Sequence, residues 1–152
     1  MNNFYQEYLD RLDELHTDLN KAIQGLPQEA LDWVPGEGMN SAAVLIAHLT
    51  GAERYWIGDV ALRDPSDRDR AAEFRVRGIP LEALQARIAD SSGYAQGVAT
   101  RLTLPDLEQE RVSPRDGHKF TVAWALLHAL EHTALHLGHI QITRQLWEQQ
   151  QR

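Results

Sequence analysis

Four histidines fall within twelve residues of the stretch "LLHALEHTALHLGHIQI", residues 126–142. On a helix, where successive residues are about 100° apart, His128, His132, His136 and His139 share one stripe. The same stripe carries the apolar residues Trp124, Ala125, Ala129 and Ile140. We therefore expect the stripe to face the protein interior. Buried imidazoles need partners, because an unsatisfied buried polar group costs about 1–3 kcal/mol. Either other side chains or a metal ion would supply them.

Histidines four residues apart on a helix are neighbours whose rings can converge on one ion. The pairs His128/His132 and His132/His136 both have this spacing. A third ligand is available in His48, which lies on the apolar face of a predicted second helix. The rival interpretation of His48 is a core histidine that is hydrogen-bonded to a neighbouring side chain.

Other residues give weaker signals of chemistry. Glu53 points away from His48 by the helical angle, so we do not propose it as a general base. Tyr55 lies two turns after His48 and is more typical of a core aromatic residue than of a pocket wall. We expect His16 and His118 to be structural or solvated. No serine nucleophile elbow or glycine-rich phosphate loop is present, and the catalytic residues stay unknown.

Composition restricts the class of protein. A chain of 152 residues has the length of one domain, and we expect residues 1–152 to form it. The net charge of −7 disfavours nucleic acid and anionic membranes as partners. The chain has no cysteine, so a thiol nucleophile would have to be borrowed from another molecule. It also lacks a targeting segment and a membrane span, and we expect a cytoplasmic protein.

Apolar residues recur at helical spacing in four long segments, residues 4–26, 41–62, 80–102 and 121–149. The sequence therefore predicts an all-α fold, a four-helix bundle. Asn40 or Ser41 is a suitable cap for the second helix, and Thr121 for the fourth. A connector follows the second helix and is long enough to cross the bundle. Its charged residues 63–77 predict a solvated loop, with a mobile lid over a site as the alternative.

Shorter features lie between these helices. Residues 27–41 are rich in turn formers, with one short helical turn expected around Ala30. The dipeptide Asp116-Gly117 separates two segments that could pair as a minor hairpin. Small residues interrupt the third helix, and we interpret them as a sign of close helix packing: Ser91, Ser92, Gly93 and Gly97.

Two segments, "MNSAAVLIAHLTGAERYWIGDV" and "FTVAWALLHALEHTALHLGHIQITRQL", resemble the DinB-like superfamily of small bacterial four-helix bundle proteins. The connector "LDWVPGEG" extends the resemblance over nearly the whole chain. The resemblance implies a bundle with a long crossover connection between helices two and three. It also implies a homodimer and a divalent metal ion held by three histidines.

The family's ligands map onto three histidines of this chain. One ligand comes from the second helix and matches His48. The other two form an H-x-x-x-H on the last helix, just before an H-x-G-Q segment that reads "HLGH" here, and match His132 and His136. His128 lies one turn earlier and is not a family ligand. His139 stands where the family usually has glutamine, and its role is that of a second-shell donor, an extra ligand or a surface or interface residue.

Three imidazoles with a vacant fourth position make an open site, as in catalytic zinc centres. We expect one divalent metal ion per chain, with zinc as the default and nickel as the alternative. Superfamily members with assigned activities include transferases and isomerases that use a low-molecular-weight thiol. The first hypothesis is therefore a thiol S-transferase-like or hydrolase-like enzyme that acts on a small molecule. A non-enzymatic metal-binding or stress-response protein and a metal-free helical interaction module are the alternatives.

Overall fold

The computed structural model describes residues 1–152 and is mostly helical. Four long helices pack together, which confirms the predicted all-α four-helix bundle. The helices are α1 (Asn3–Ile23), α2 (Gln28–Leu31), α3 (Ala42–Glu53), α4 (Arg70–Glu73), α5 (Leu81–Ala99) and α6 (Val122–Gln150). A π-helical segment, Arg54–Leu62, continues α3, and a 3-10 turn, Leu104–Glu108, follows α5. The strands are β1 (Glu110–Val112) and β2 (Lys119–Thr121).

Side-chain caps fix where the long helices begin. The Ser41 hydroxyl accepts a hydrogen bond from the backbone N–H of Val44, and the Thr121 hydroxyl accepts one from that of Trp124. These bonds satisfy backbone donors that have no partner inside the helix. Ser41, rather than Asn40, is thus the cap of α3, and the cap predicted at Thr121 is confirmed. Pro80 immediately precedes α5 instead of being its first residue.

The crossover connection follows from the directions of the helices. The Tyr5 hydroxyl at the start of α1 donates to the Thr103 carbonyl just after α5, so these two helices are antiparallel. Near the other end, Arg144 of α6 donates to the Ala22 carbonyl, so α6 runs parallel to α1. Leu45 and Leu84, near the starts of α3 and α5, share one apolar cluster, and Ala52 and Val98, near their ends, share the other. The α3 and α5 helices are therefore parallel, and the connector between them returns along the whole bundle. The predicted crossover between the second and third long helices is confirmed.

The crossover segment, residues 63–80, is not the fully solvated loop that its charges predicted. The side chains of Arg68 and Glu73 are each only 10 % exposed. They form an ion pair against α3, with Arg68 Nε 2.7 Å from Glu73 Oε2. The number of charges in the segment did not reveal this burial, because two opposite charges can be buried when they pair with each other. The sequence does not show which charges pair.

Two apolar clusters fill the bundle, one towards each end. Leu12 belongs to the first cluster and Leu19 to the second. His16 lies between them on α1, and Thr133 lies likewise between Ala129 and Leu137 on α6. A polar layer therefore crosses the middle of the bundle between two apolar halves.

The structure confirms most of the predictions for the shorter elements. The short helical turn expected at Ala30 is α2, and the expected hairpin is the antiparallel pair β1–β2, with Arg111 opposite Phe120. The prediction of close packing at Gly93 and Gly97 is wrong, because a Cβ at either position would meet no atom within 4 Å. No helix combines the length and the apolarity that crossing a membrane requires.

Candidate metal centre

The structure brings together the three histidines that the sequence singled out. His48 lies on α3, and His132 and His136 lie one turn apart on the antiparallel α6. His132 Nε2 is 3.1 Å from His48 Nε2 and 3.2 Å from His136 Nε2. One ring nitrogen from each histidine lies within 4.8 Å of the other two. Nitrogen ligands of a tetrahedral zinc ion lie about 3.3 Å apart, given Zn–N bonds of about 2.0–2.1 Å. The cluster therefore has dimensions that fit a metal ion.

Hydrogen bonding alone does not satisfy this cluster. The Nε2 atom of His132 has one proton or one lone pair, yet two imidazole nitrogens lie within hydrogen-bond distance of it. One of these two contacts is therefore left without a hydrogen bond in any neutral tautomer. A cation that accepts a lone pair from each nitrogen would satisfy all three rings at once, so the donor set favours a metal ion over a metal-free network.

The electrostatic surroundings keep two of the imidazoles neutral. Burial, reinforced by the neighbouring histidines, lowers the pKa of His132 to about 3. The same two causes lower the pKa of His136 to about 4. Neutral imidazole is the form that binds metal ions, so both rings carry a free lone pair at neutral pH.

The other ring nitrogen of His48 contacts the crossover segment. Glu73 Oε1 lies 3.1 Å from His48 Nδ1, and Arg68 contacts both carboxylate oxygens of Glu73 at 2.7 and 2.8 Å. Although burial raises the pKa of the Glu73 carboxyl, hydrogen bonds from Arg68 and His48 outweigh it and hold the pKa below its usual range. The Phe74 ring packs against the His48 ring, with centroids 4.7 Å apart. Sequence reasoning missed these partners, since nothing in the charged segment marks the two residues that turn inward.

The remaining histidines of the stripe take other positions. His139 is exposed, as expected of a surface residue, but its Nδ1 also lies 3.3 Å from His136 Nδ1. His128 Nδ1 pairs with Glu131 at 2.8 Å, and its ring stacks on Trp124. The stripe was expected to face the interior along its whole length, and this is wrong, because Trp124 is 42 % exposed. The stripe follows the edge of the contact between α6 and α3, so only part of it is covered.

A second polar cluster lies at the centre of the bundle. Both carboxylate oxygens of Glu53 are 3.0 Å from His16 Nε2, and Thr133 and Ser91 donate their hydroxyl protons to the same carboxylate. Each of the four residues comes from a different long helix. Glu53 and His16 are buried, so of the two roles expected for His16, structural or solvated, the structural one is confirmed. The one signal in the sequence was that Glu53 is the only carboxylate of α3.

A cavity of about 460 Å³ opens beside the candidate centre. Arg68 and Glu73 line it on one side, and Arg87, Ser91 and Tyr94 of α5 line it on the other. The three clustered histidines do not line it. The cavity is therefore next to the centre and is separated from the imidazoles by the ion pair that contacts His48.

Solved structures share this fold. A conserved protein from Enterococcus faecalis superimposes with a TM-score of 0.78 at 15 % identity, over 96 % of this chain and 98 % of the other. YfiT from Bacillus subtilis, described as a probable metal-dependent hydrolase with an unusual four-helix bundle topology, superimposes with a TM-score of 0.75 at 15 % identity. That match covers 94 % of this chain and 87 % of YfiT. The comparison with curated proteins yields no match.

Sequence comparison with protein families agrees with the fold. The model of the DinB superfamily matches residues 11–140, which include all four long helices in whole or in part and all three clustered histidines. The match covers well over half of the chain and includes the residues that carried the resemblance. The chain therefore belongs to the DinB superfamily.

Proposed function

We propose that the protein binds one divalent metal ion per chain through the Nε2 atoms of His48, His132 and His136. The observation that carries this proposal is the convergence of three ring nitrogens, two pairs of which are 3.1 and 3.2 Å apart. The lowered pKa values of His132 and His136 support it, because neutral imidazoles are ready to bind. Zinc is the ion that we propose first, and nickel is the alternative, since both accept imidazole ligands.

We further propose that the bound metal makes this protein an enzyme of the hydrolase or thiol S-transferase type. When bound by three protein ligands, a divalent ion leaves a position for a fourth and lowers the pKa of the water or thiol that takes it. The description of YfiT as a probable metal-dependent hydrolase supports the first reaction type. The substrate would be a small molecule. A low-molecular-weight thiol cosubstrate would supply the sulfur that this cysteine-free chain lacks, and the cytoplasm keeps such thiols reduced.

The second candidate is a non-enzymatic metal-binding protein in which the ion stabilises the bundle. One observation favours it: the cavity of about 460 Å³ is not lined by the three histidines. In that case, removal of the metal would lower the melting temperature, but no substrate or thiol would bind near the ion.

A homodimer is proposed on separate grounds. Five large apolar residues on one face of α6 are exposed: Trp124, Leu127, Leu135, Ile142 and Leu146. At about 100° per residue they lie within one stripe of about 100°. Large apolar residues that are exposed on one face of a helix are typical of a protein–protein contact, and a second copy of the chain is the partner that we propose.

Elemental analysis of untagged protein, purified without metal resin, tests the metal site. We expect about one divalent ion per chain in the wild type and its loss in His48→Ala and His132→Ala. The matched control is His128→Ala, which removes an imidazole from the same helix but outside the cluster and should keep its metal. An absence of metal from the wild type after incubation with zinc and nickel would refute the proposal, as would retention of metal in His132→Ala.

A further inference from the structure

The contact between His48 and Glu73 has the arrangement that fixes a metal-binding imidazole. An imidazole that binds a metal through Nε2 has its proton on Nδ1, and that N–H needs an acceptor. Glu73 Oε1 lies 3.1 Å from His48 Nδ1, where it accepts this proton's hydrogen bond. Such a bond sets the tautomer, holds the ring in one orientation and makes the other nitrogen a better electron-pair donor.

Two further residues hold the Glu73 carboxylate in place. Arg68 donates from Nε to one carboxylate oxygen at 2.7 Å and from Nη2 to the other at 2.8 Å, a bidentate pair with little positional freedom. Gly51 of α3 provides the space, because a Cβ there would overlap Glu73 Oε2. The carboxylate therefore docks on the helix that carries His48, one turn beyond it.

Burial of this ion pair has a free-energy cost, which suggests that the pair serves a function at the site. Both side chains are only 10 % exposed, and taking two charges out of water carries a penalty that their attraction only partly offsets. A solvated connector would avoid that penalty by leaving the pair in water. The crossover instead turns Arg68, Glu73 and Phe74 towards a single imidazole.

We propose that Glu73 is the positioning residue of the metal centre and orients the His48 imidazole. Arg68 holds its carboxylate and Gly51 leaves the space for it, so the crossover segment contributes to the site. This inference rests on the proposed metal binding by His48. The other two imidazoles have no carboxylate to fix their orientation, since His136 Nδ1 faces only the exposed His139 and His132 Nδ1 has no hydrogen-bond partner. The affinity of the site for its ion then depends on the crossover as well as on the three ligands.

Zinc affinity, measured by competition with a chromogenic chelator at neutral pH, tests the positioning role. We expect Glu73→Gln to raise the zinc dissociation constant by about 10- to 100-fold, the usual effect of removing a partner of a metal-binding histidine. The matched control is Glu131→Gln, which removes the carboxylate that is 2.8 Å from His128 Nδ1. Because His128 is outside the cluster, this control should leave the dissociation constant within about twofold of the wild type.

A second variant disrupts the contact between Glu73 and His48 without changing either residue. Gly51→Ala places a methyl group where the carboxylate docks and should therefore displace it from His48. Alanine has a higher helix propensity than glycine, so a loss of zinc affinity in this variant would not reflect a weaker helix. The visible spectrum of the cobalt-substituted protein, which responds to ligand geometry, should change in Gly51→Ala and Glu73→Gln and stay unchanged in Glu131→Gln.

The outcomes separate this inference from the proposed function. If the wild type binds zinc and both Glu73→Gln and Gly51→Ala keep its affinity and cobalt spectrum, the positioning role is wrong and the metal site stands. If the wild type binds neither zinc nor nickel, the metal site is wrong and this inference fails with it. Lower affinity with an altered spectrum in both variants, beside an unchanged Glu131→Gln, would support the inference.

Discussion

At the scale of single residues, the three clustered imidazoles differ in what holds them. His48 is buried and contacts a carboxylate through Nδ1. His136 has only another imidazole at its Nδ1, and His132 Nδ1 is buried without a hydrogen-bond partner. All three nonetheless present Nε2 to a common point, because α3 and α6 approach each other closely there. The chemistry of the site therefore depends on ring orientation as much as on residue type.

The lowered pKa values of His132 and His136 predict a pH dependence of stability in the metal-free protein. Free histidine side chains become protonated near pH 6.5, whereas in the fold His136 remains neutral down to about pH 4 and His132 down to about pH 3. The unfolded state thus binds more protons between those values, and the free energy of unfolding falls as the pH is lowered from 6.5 to about 4. Urea unfolding of the metal-free protein across this range measures the slope.

The matched variant for this prediction is the double substitution His132→Gln/His136→Gln. Glutamine does not titrate, so the slope between pH 6.5 and about pH 4 should be smaller than in the wild type. An identical slope in the two proteins would show that other groups cause the acid sensitivity.

At the scale of elements, the π-helical segment after α3 anchors the start of the crossover. Arg54 lies over the Tyr94 ring of α5 at 4.1 Å and donates to the Asp64 carbonyl and carboxylate at 2.9 and 3.2 Å. The Tyr94 hydroxyl donates to the same carboxylate at 2.6 Å. Arg63, with a left-handed φ of 61°, ends the segment. The crossover is thus fixed at Asp64 and again at Glu73, which places it against His48.

Two glycines on neighbouring elements should respond oppositely to alanine. A Cβ at Gly58 would overlap the Arg54 guanidinium and the Tyr94 hydroxyl, so Gly58→Ala should lower the free energy of unfolding by about 1–3 kcal/mol. A Cβ at Gly93 on α5 would meet no atom within 4 Å, so Gly93→Ala should raise it by up to about 1 kcal/mol through helix propensity. Urea denaturation of both variants measures these changes. Equal effects of the two substitutions would contradict the close approach at Gly58.

At the scale of the whole molecule, a polar layer divides the core. Glu53 accepts hydrogen bonds from His16, Ser91 and Thr133, so one carboxylate connects all four long helices. Removing one partner of such a buried charge costs more than the pair contributes, because the other partner is then left unsatisfied. The layer therefore favours one register of the helices over others that would bury the carboxylate among apolar side chains.

The exposed apolar face of α6 gives a prediction about assembly. Leu135 is 57 % exposed at the middle of that stripe, so Leu135→Glu should raise the dissociation constant of the proposed homodimer at least about tenfold. Val112 is similarly exposed, at 59 %, but belongs to β1 and not to the apolar face of α6, so Val112→Glu is the control and should not weaken the dimer. Sedimentation velocity over a range of concentrations measures both. A monomeric wild type, or a dimer that Leu135→Glu leaves intact, would contradict the proposed interface.

The sequence by itself determined the features that depend on local periodicity. Apolar spacing predicted the four long helices, Ser41 and Thr121 predicted two of the helix starts, and the length of the connector allowed the crossover. The one-turn spacing of His132 and His136 likewise placed two rings together without any tertiary information. The apolar face of the second helix and the family resemblance then indicated His48 as the third member of the cluster.

Only the tertiary structure decided which distant residues meet. Glu73 is 25 residues from His48, and Glu53 is 37 residues from His16, and neither pairing leaves a periodic signal in the chain. The inward turn of Arg68 depends on the path of the crossover and on the space at Gly51, both of which are set by how α3 and α5 pack. Burial of a charge is a property of the assembled surroundings, so a charged segment alone did not show which of its residues would face the imidazoles.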